Sequence, residues 1–403
     1  MRISALLAGL LVAGATLAQN QQAIRQQLFG PTDAVKAEAD ALDAAVLAEA
    51  DAAEEQAMTQ TAAVQTVLKL AGYWPGAIDG AWTDELTQAL QAFQTELGVE
   101  PTGVVDAATL RDLPMEEVTM VLQCSGNGRS FYARSVQTRG TQWAHGGMGQ
   151  VTFRGPKLTS LLETFDPPLN PREAARFVTA EGKDAPPEGS SRPDFEHSLP
   201  IQDVMDRAIL AIEMNGEPLP GGHGGPVRLV VPGYYGTMNV KWLSRLRFEA
   251  IESNNVNQIP RYRIPNDPIE PGTPIDYTHE NSTPNWRQRV KSVIFGPHTG
   301  TEVSAGEVEV HGVAWNDGTV GLTSVEISTD DGGTWRKAAM SAPHGGYGWY
   351  EFRTVVNLGA GEHRIWSRAW DELGNSQPIN GAIRWNPSGY EWHGADYVEV
   401  TAS

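Results

Sequence analysis

Cysteine is almost absent from this sequence, which has one, Cys124, among 403 residues. A single cysteine excludes an internal disulfide, and the Cys-x-x-Cys-His motif that attaches heme is missing as well. Cys124 follows an apolar, β-branched run over 118–122 and precedes Ser-Gly-Asn-Gly. This order predicts a strand that ends in a tight turn, with the sulfur beside backbone N–H groups. Arg129 follows closely and would favour the thiolate, the form that binds metals, although many lone cysteines are simply buried.

Long apolar segments and an excess of positive charge are also missing. Residues 1–18 contain a short apolar run after Arg2, with small residues before Gln19, which is typical of a secretory signal and too short to span a bilayer. The chain has 30 Lys and Arg against 49 Asp and Glu, a formal net charge of −19. This balance argues against nucleic-acid binding. It fits either plain solubility or a basic redox partner.

Composition predicts a multidomain chain. Residues 19–58 are rich in Ala, Glu, Asp and Gln and predict an acidic helical spacer. Residues 59–113 carry two apolar stripes at helical spacing around a Gly- and Pro-containing loop, which predicts a small α-helical bundle. Residues 115–265 mix helix and strand signals, and 266–287 are typical of a linker. Residues 288–402 alternate polar and apolar residues and predict an all-β, immunoglobulin-like sandwich.

The segment 59–113 resembles the peptidoglycan-binding helical repeat of cell-wall enzymes. The loop Gly-Tyr-Trp-Pro-Gly-Ala-Ile-Asp-Gly, the triplet Ala-Phe-Gln and the run Gly-Val-Val-Asp occur in the family's order, with Pro75 adding one residue to the loop. The resemblance implies peptidoglycan as a candidate ligand. The alternative is a helical bundle that serves only as a spacer, because a fold acquires a function only through its site.

The segment Leu-Gln-Cys-Ser-Gly-Asn-Gly-Arg around Cys124 resembles the cysteine loop of the sulfite oxidase family of molybdenum enzymes. Further matches follow in the family's order: Gly-Thr-Gln-Trp at 140–143, Met-Asn-Gly-Glu-Pro-Leu-Pro at 214–220, His-Gly-Gly-Pro-Val-Arg at 223–228 and Trp-Asn-Pro-Ser-Gly-Tyr at 385–390. So many ordered matches are more specific than one short motif. They imply an α+β molybdopterin domain, shortened at its N-terminal side, and a C-terminal dimerisation domain.

The resemblance assigns the cofactor contacts to individual residues. Cys124 would bind molybdenum through its thiolate, a soft ligand suited to a metal that changes its oxidation state. The molybdopterin would be contacted by four further residues, namely Asp184, His223, Arg228 and Lys241. For Arg228 the alternative is a surface ion pair, which the length of its motif disfavours.

The resemblance also assigns a substrate pocket for an oxyanion. Arg129 and Trp143 match a pocket arginine and a pocket tryptophan of the family. Tyr262 matches an active-site tyrosine by its spacing of twenty-one residues from Lys241. For Trp143 the alternative is core packing, because a large aromatic side chain is usually well buried.

Three departures from the family pattern stand out. The family's Asn-His-rich pterin-binding segment and a second substrate arginine, upstream of the cysteine, have no counterpart in this sequence. Ser388 occupies a position at which some members have arginine. The signal contains one arginine, whereas proteins exported in the folded state carry a twin pair. The shortened cofactor region and the single-arginine signal predict less than one molybdenum per chain.

Together these features predict a periplasmic molybdenum-cofactor oxidoreductase, without heme in this chain, that oxidises sulfite or a related sulfur compound. Electrons would pass to an external cytochrome c-type acceptor, and the protein would form a homodimer or a heterodimer. Two alternatives stay open. One is a sulfane-sulfur dehydrogenase subunit, and the other is a non-catalytic wall-binding or scaffolding protein with a degenerate cofactor pocket.

Overall fold

The structure is a computed structural model that describes residues 64–65, 68, 73–74, 76, 83–96, 113–163, 170–184, 193–379 and 383–403. The predicted signal, 1–18, and the predicted acidic spacer, 19–58, lie outside the described residues. Across the described residues the fold is mostly β with a few short helices. None of the described helices is long and apolar enough to cross a membrane.

The N-terminal segment is described chiefly by one helix, α1, Asp84–Glu96. Thr83 starts it, because its hydroxyl accepts a hydrogen bond from the Leu86 N–H at 3.2 Å. The apolar stripe of α1 packs with residues before the helix in one small core, formed by Val64, Leu68, Leu86, Leu90 and Phe93. Tyr73 meets the edge of Phe93 at 5.6 Å, so this aromatic serves the core. Residues 64–65 and 68 are helical as well, and the rest of the predicted bundle lies outside the described residues.

The central region contains two antiparallel sheets, a two-stranded ladder and two short helices. In the first sheet β1, Met115–Gln123, pairs with β2, Met148–Pro156, which continues to the short strands β6, Glu213–Met214, and β7, Glu217–Pro218. In the second, β3, Phe177–Gly182, lies between β4, Glu196–Pro200, and β9, Leu243–Glu249. The ladder joins β5, Ile209–Ala211, and β8, Arg228–Val230. The helices are α2, Leu158–Glu163, and α3, Ile201–Arg207.

Residues 266–287, predicted as a linker, are folded onto the domain. They contain β11, Ser282–Pro284, which pairs with β10, Arg263–Pro265. Asn285 then donates its backbone N–H to the Tyr262 carbonyl at 2.8 Å. The linker prediction is wrong here. A high content of Pro and Asn indicates only a weak propensity for regular secondary structure, and tertiary hydrogen bonds fix this segment on the domain.

The C-terminal region is all β and consists of two sheets. One has the order β12, Lys291–Gly296; β14, Gly306–Trp315; β18, Tyr350–Leu358; β17, Ala339–Met340. The other has the order β13, Thr301–Val303; β20, Asp396–Ala402; β19, Gly361–Asp371; β15, Leu322–Ser328; β16, Arg336–Lys337. Both sheets contribute to one apolar core, since Val308 and Val310 of β14 pack with Val325 and Ile327 of β15. Buried and exposed side chains alternate over Glu307–His311 of β14, as the period-2 pattern predicted, while the immunoglobulin-like topology stays a prediction.

The C-terminal region packs directly against the strand that leads to Cys124. Val121 of β1 shares a buried cluster with Val293 and Trp315. The Trp315 indole N–H donates to the Gln123 side-chain oxygen at 2.9 Å. The end of β1 is therefore positioned by residues far away in sequence, and this end carries the candidate site.

Candidate functional site

Cys124 lies half-buried directly after β1, where the chain leaves the sheet. Its backbone N–H donates to the Gly147 carbonyl at 2.8 Å, which ties the cysteine to the segment before β2. The Gly126 N–H points at the sulfur, with a nitrogen–sulfur distance of 3.4 Å. The tight turn predicted from Ser-Gly-Asn-Gly thus presents a free thiol next to a backbone donor, an arrangement suited to a thiolate ligand.

Arg129 is buried beside the turn, with 7% of its surface exposed. Its Nε donates to the Ser388 carbonyl at 2.8 Å and its Nη1 to the Thr141 carbonyl at 2.9 Å. Gly126 and Gly140 leave the space for the guanidinium, because a Cβ on either one would collide with it. Ser388, the position at which some relatives in the resembled family carry arginine, contributes its backbone to hold Arg129.

Two tyrosines line the same place. The Tyr262 and Tyr390 rings are stacked with centroids 5.4 Å apart, and the Arg129 guanidinium lies 5.2 Å from the Tyr390 centroid. Burial raises the pKa of the Tyr262 phenol, and a negative charge on Cys124 adds to this effect. Burial likewise raises the pKa of Tyr390 to about 12, so both phenols stay protonated donors at neutral pH.

Tyr262 adopts a left-handed backbone conformation, with φ of 53°. A non-glycine residue in this region is strained, and such strain persists where the surrounding structure fixes it, often at functional sites. The Tyr262 ring also meets His197 and Phe195 edge-on, at 5.4 Å and 6.1 Å. Spacing alone suggested Tyr262, and the structure brings it to Cys124 and Arg129.

Trp143 lies at the open side of the site. A Cβ on Gly147 would be 3.4 Å from the Cys124 Cβ and 3.6 Å from the Trp143 ring, so the two side chains flank the same backbone. The ring is 40% exposed, which makes it a large accessible apolar surface. The alternative reading of Trp143 as a core residue is therefore wrong.

A second group of predicted residues surrounds the loop 221–225. The buried Arg228 donates from Nε to the Asn239 carbonyl at 2.9 Å and from Nη1 to the His223 carbonyl at 3.0 Å. The Lys241 ammonium donates to the Gly222 carbonyl at 3.0 Å. Burial lowers the pKa of Lys241 and the neighbouring Arg228 lowers it further, while Asp184 opposes the shift. Arg228, Lys241 and Asp184 therefore share one electrostatic environment, and His223 borders it through its backbone.

Phe195 connects the two groups. Its N–H donates to the Asp184 carboxylate at 2.6 Å, and its ring packs against Tyr262. Asp184 thus helps to position Phe195, and through the Phe195 ring it helps to position Tyr262 at the Cys124 site.

The charges of the second group fit an anionic cofactor such as a phosphate-bearing pterin. Arg228 is only 5% exposed, and among the described residues no carboxylate forms an ion pair with it. Burial lowers the pKa of Arg228 to about 10. A buried cation without a counter-ion is costly, and a bound anion would remove that cost. Cys124 adds the soft sulfur ligand that molybdenum takes. The residues present therefore fit the molybdenum cofactor.

Sequence reasoning missed several residues that the structure places at this site. Tyr390 stacks on Tyr262, and the Ser388 carbonyl holds Arg129. Both lie in the Trp-Asn-Pro-Ser-Gly-Tyr segment that carried the resemblance, which was the available signal. His197 gave no signal, because nothing in its sequence neighbourhood points to Tyr262.

Family models match three parts of the chain. An oxidoreductase molybdopterin binding domain matches residues 89–257, and a Mo-co oxidoreductase dimerisation domain matches residues 283–395. A peptidoglycan binding domain matches residues 58–113, so the first and third models overlap over 89–113. The molybdopterin model contains Cys124 and the loop that carries Arg228.

Curated relatives and solved structures agree with these matches. Mitochondrial sulfite oxidase of Rattus norvegicus is 33% identical over 297 residues, covering 70% of this chain and 53% of the relative. Sulfite oxidase of Gallus gallus is 34% identical over 292 residues, covering 70% and 62%. The crystal structure of the sulfane dehydrogenase SoxCD from Paracoccus pantotrophus superposes with a TM-score of 0.60 at 26% identity, covering 74% of each chain. The chain spans about half to three fifths of the length of these two curated relatives.

Proposed function

Because the chain belongs to the sulfite oxidase family of molybdenum-cofactor oxidoreductases, we propose that it oxidises sulfite or a related sulfur compound at a molybdenum centre held by Cys124. One observation carries the proposal. The free thiol lies next to a buried arginine and two protonated tyrosines, a set that binds an oxyanion beside a sulfur metal ligand.

The overall reaction for sulfite consumes water and yields sulfate, two protons and two electrons. When bound, the cofactor supplies the oxygen-atom transfer and accepts the two electrons. Arg129 attracts and orients the anion, because its guanidinium is always charged and its position is fixed by two carbonyl groups. The Tyr262 phenol is kept protonated by burial and donates a hydrogen bond to a substrate oxygen. Trp143 offers a large apolar surface at the open side of the site.

The second group would hold the anionic end of the pterin. Arg228 and Lys241 supply positive charge around a glycine-containing loop, and His223 lies at the surface of that loop. Charge-assisted hydrogen bonds of this kind are stronger than neutral ones. Asp184 would accept from pterin N–H groups with the oxygen that does not bind Phe195.

Location, partners and acceptor form part of the same proposal. The predicted secretory signal over 1–18 supports a periplasmic location, and the match to a peptidoglycan binding domain over 58–113 supports retention near the cell wall. A cytochrome c-type protein accepts the electrons, since this chain has no heme attachment motif. The net charge of −19 would speed the encounter with a basic acceptor, so the rate should fall as salt screens it. The dimerisation domain supports assembly with a second chain.

Sulfane-sulfur oxidation is the second candidate. The likeness to the sulfane dehydrogenase SoxCD structure favours it. A non-catalytic wall-binding protein is the third candidate, and metal content separates it from the first two.

The experiment is to purify the full chain from cells that make the molybdenum cofactor and to measure molybdenum per chain and substrate-dependent cytochrome c reduction. Sulfite and a sulfane-sulfur compound are compared, with Cys124→Ser as the matched control. We expect less than one molybdenum per chain, activity on one of the two substrates and none in the control. Molybdenum-loaded protein that oxidises neither substrate would overturn the proposal.

Wall attachment is tested separately by sedimentation of the full chain with purified peptidoglycan. We expect the protein to pellet, and a variant without residues 19–113 to stay in the supernatant. Equal behaviour of both would show that this segment is a spacer.

A further inference from the structure

A lysine from the C-terminal region lies directly beneath the Cys124 turn. Lys291 begins β12 and is 1% exposed. Its ammonium donates to both oxygens of Asn127, the backbone carbonyl at 3.3 Å and the side-chain Oδ1 at a shorter distance. It also donates to the Trp392 carbonyl at 3.0 Å. These three oxygen acceptors match the three N–H donors of a charged lysine.

Asn127 connects Lys291 to Cys124, the candidate metal ligand. It is fully buried three residues after Cys124, and its backbone N–H donates to the Cys124 carbonyl at 3.0 Å. Its amide nitrogen donates to the His145 and Gly146 carbonyls at 2.9 Å and 2.7 Å. The next residue, Gly147, accepts the Cys124 N–H. Lys291 therefore fixes a side chain that joins the cysteine turn to the segment carrying Trp143.

A second buried contact holds the same segment from the same side. The Asp396 carboxylate, 1% exposed, lies 2.9 Å from the His145 Nε2 and accepts the Ile294 N–H at 3.1 Å. Burial lowers the pKa of Lys291 to about 7, and the charge of Asp396 opposes that shift. Burying an ammonium group is unfavourable unless hydrogen bonds and nearby charges compensate for the lost hydration. An apolar residue would fill this space at a lower cost in free energy.

We propose that Lys291 is a positioning residue for Cys124, which holds the thiol in its metal-binding orientation through Asn127. The C-terminal region is then part of the cofactor site as well as a dimerisation element. The inference rests on the proposed role of Cys124 as the metal ligand. It concerns the orientation of the thiol, so it can be measured without substrate.

The test uses the full chain produced in a host that cannot make the molybdenum cofactor. Cys124 is the only cysteine, so alkylation by iodoacetamide, followed by mass spectrometry, reports its accessibility alone. The rate is measured as a function of pH, and its high-pH limit separates accessibility from thiolate fraction. The variants are Lys291→Met, Asn127→Ala and the double variant. Ser292→Ala is the matched control, since Ser292 is the next residue on β12, fully buried, and its hydroxyl contacts Ser367 and Gln377 instead of the turn.

We expect the limiting rate to rise about tenfold in Lys291→Met and in Asn127→Ala, because either change removes the charge-assisted hydrogen bond that fixes the Asn127 side chain under the cysteine turn. The double variant should be no faster than Lys291→Met, since both changes break one link. Ser292→Ala should label like the wild type. In cofactor-making cells, the first two variants should also lose molybdenum on gel filtration while the control retains it.

A wild-type labelling rate in folded Asn127→Ala would overturn the proposal, even if Lys291→Met fails to fold. Equal acceleration in Ser292→Ala would do the same, because it would indicate general loosening of β12. If the wild-type protein oxidises neither substrate but Cys124 still labels more slowly in it than in the two variants, the proposed reaction is rejected and this inference stands. The two failures are therefore distinguishable.

Discussion

At the scale of single residues, the Cys124 site depends on a few side chains whose contacts are backbone atoms. Cys124 is tied to Gly147, and Arg129 is tied to Ser388 and Thr141. Every residue has a backbone carbonyl, so a change of the Ser388 or Thr141 side chain leaves the acceptor of Arg129 in place. Substitutions of Cys124, Arg129 and Tyr262 remove a functional group of the site directly.

Replacing Cys124 by serine should abolish the oxidation while the chain stays folded. A hydroxyl is a harder and poorer ligand than a thiolate for this metal, and the half-buried position accepts an oxygen without a clash. The measurement is substrate-dependent cytochrome c reduction, with thermal unfolding as the check on folding. Wild-type turnover by the serine variant would contradict the assignment.

Tyr262→Phe should lower turnover without stopping it. The phenylalanine keeps the stacking on Tyr390 but removes the donor, and acid–base contributions of this kind are typically ~10²–10⁴-fold. The matched control is Tyr350→Phe, because the Tyr350 hydroxyl accepts the Leu322 N–H in the C-terminal region, away from the candidate site. If steady-state kinetics with Tyr262→Phe equal those of the wild type, the phenol has no part in the reaction.

At the scale of elements, two cationic side chains lie beside the glycine-containing loop 221–225: Arg228, which begins β8, and Lys241. Arg228 is fixed by the carbonyls of His223 and Asn239, so its orientation exists before any ligand binds. Such preorganisation lowers the ordering cost of binding.

Arg228→Met should weaken the retention of the cofactor by about 10- to 100-fold, since a charge-assisted hydrogen bond contributes about 1.5–3 kcal/mol. The readout is the molybdenum and pterin content after dialysis. Arg154→Met is the control, because Arg154 on the neighbouring sheet is partly exposed and pairs with Glu213. Equal retention by both variants would show that Arg228 holds only the loop.

At the scale of the whole molecule, two histidines are shielded from water: His197 is fully buried and His393 is half-buried. Burial lowers the pKa of both His197 and His393 to about 4, from an ordinary value near 6.5. The unfolded chain therefore binds more protons than the native one between these values. Stability rises with pH across this window and is lost as the pH falls from 6.5 towards 4.

Calorimetric unfolding between pH 6.5 and 4 should show this loss, to which each histidine contributes up to about 3 kcal/mol. His197→Gln and His393→Gln should each flatten the dependence. His298→Gln, at an exposed position, should follow the wild type. An unchanged pH dependence in both His197→Gln and His393→Gln would mean that other groups cause the acid sensitivity.

The sequence by itself determined the elements that depend on local pattern. The run before Cys124 and the glycine-containing turn after it specified a strand end with the sulfur beside a backbone N–H group, and period-2 alternation specified β14 and β15. Ordered motifs identified the residues of the cofactor loop, and spacing placed Tyr262, because such signals lie within a few tens of residues of each other.

Only the tertiary structure decided which distant residues complete the site. Ser388 is 259 residues from Arg129 and Lys291 is 164 from Asn127. Neither pair of residues can be recognised from a local sequence pattern. The burial of these side chains and their hydrogen bonds arise only when the C-terminal sheets pack against the end of β1. The segment 266–287 shows the same limit, since its composition is that of a linker and its hydrogen bonds are those of a folded element.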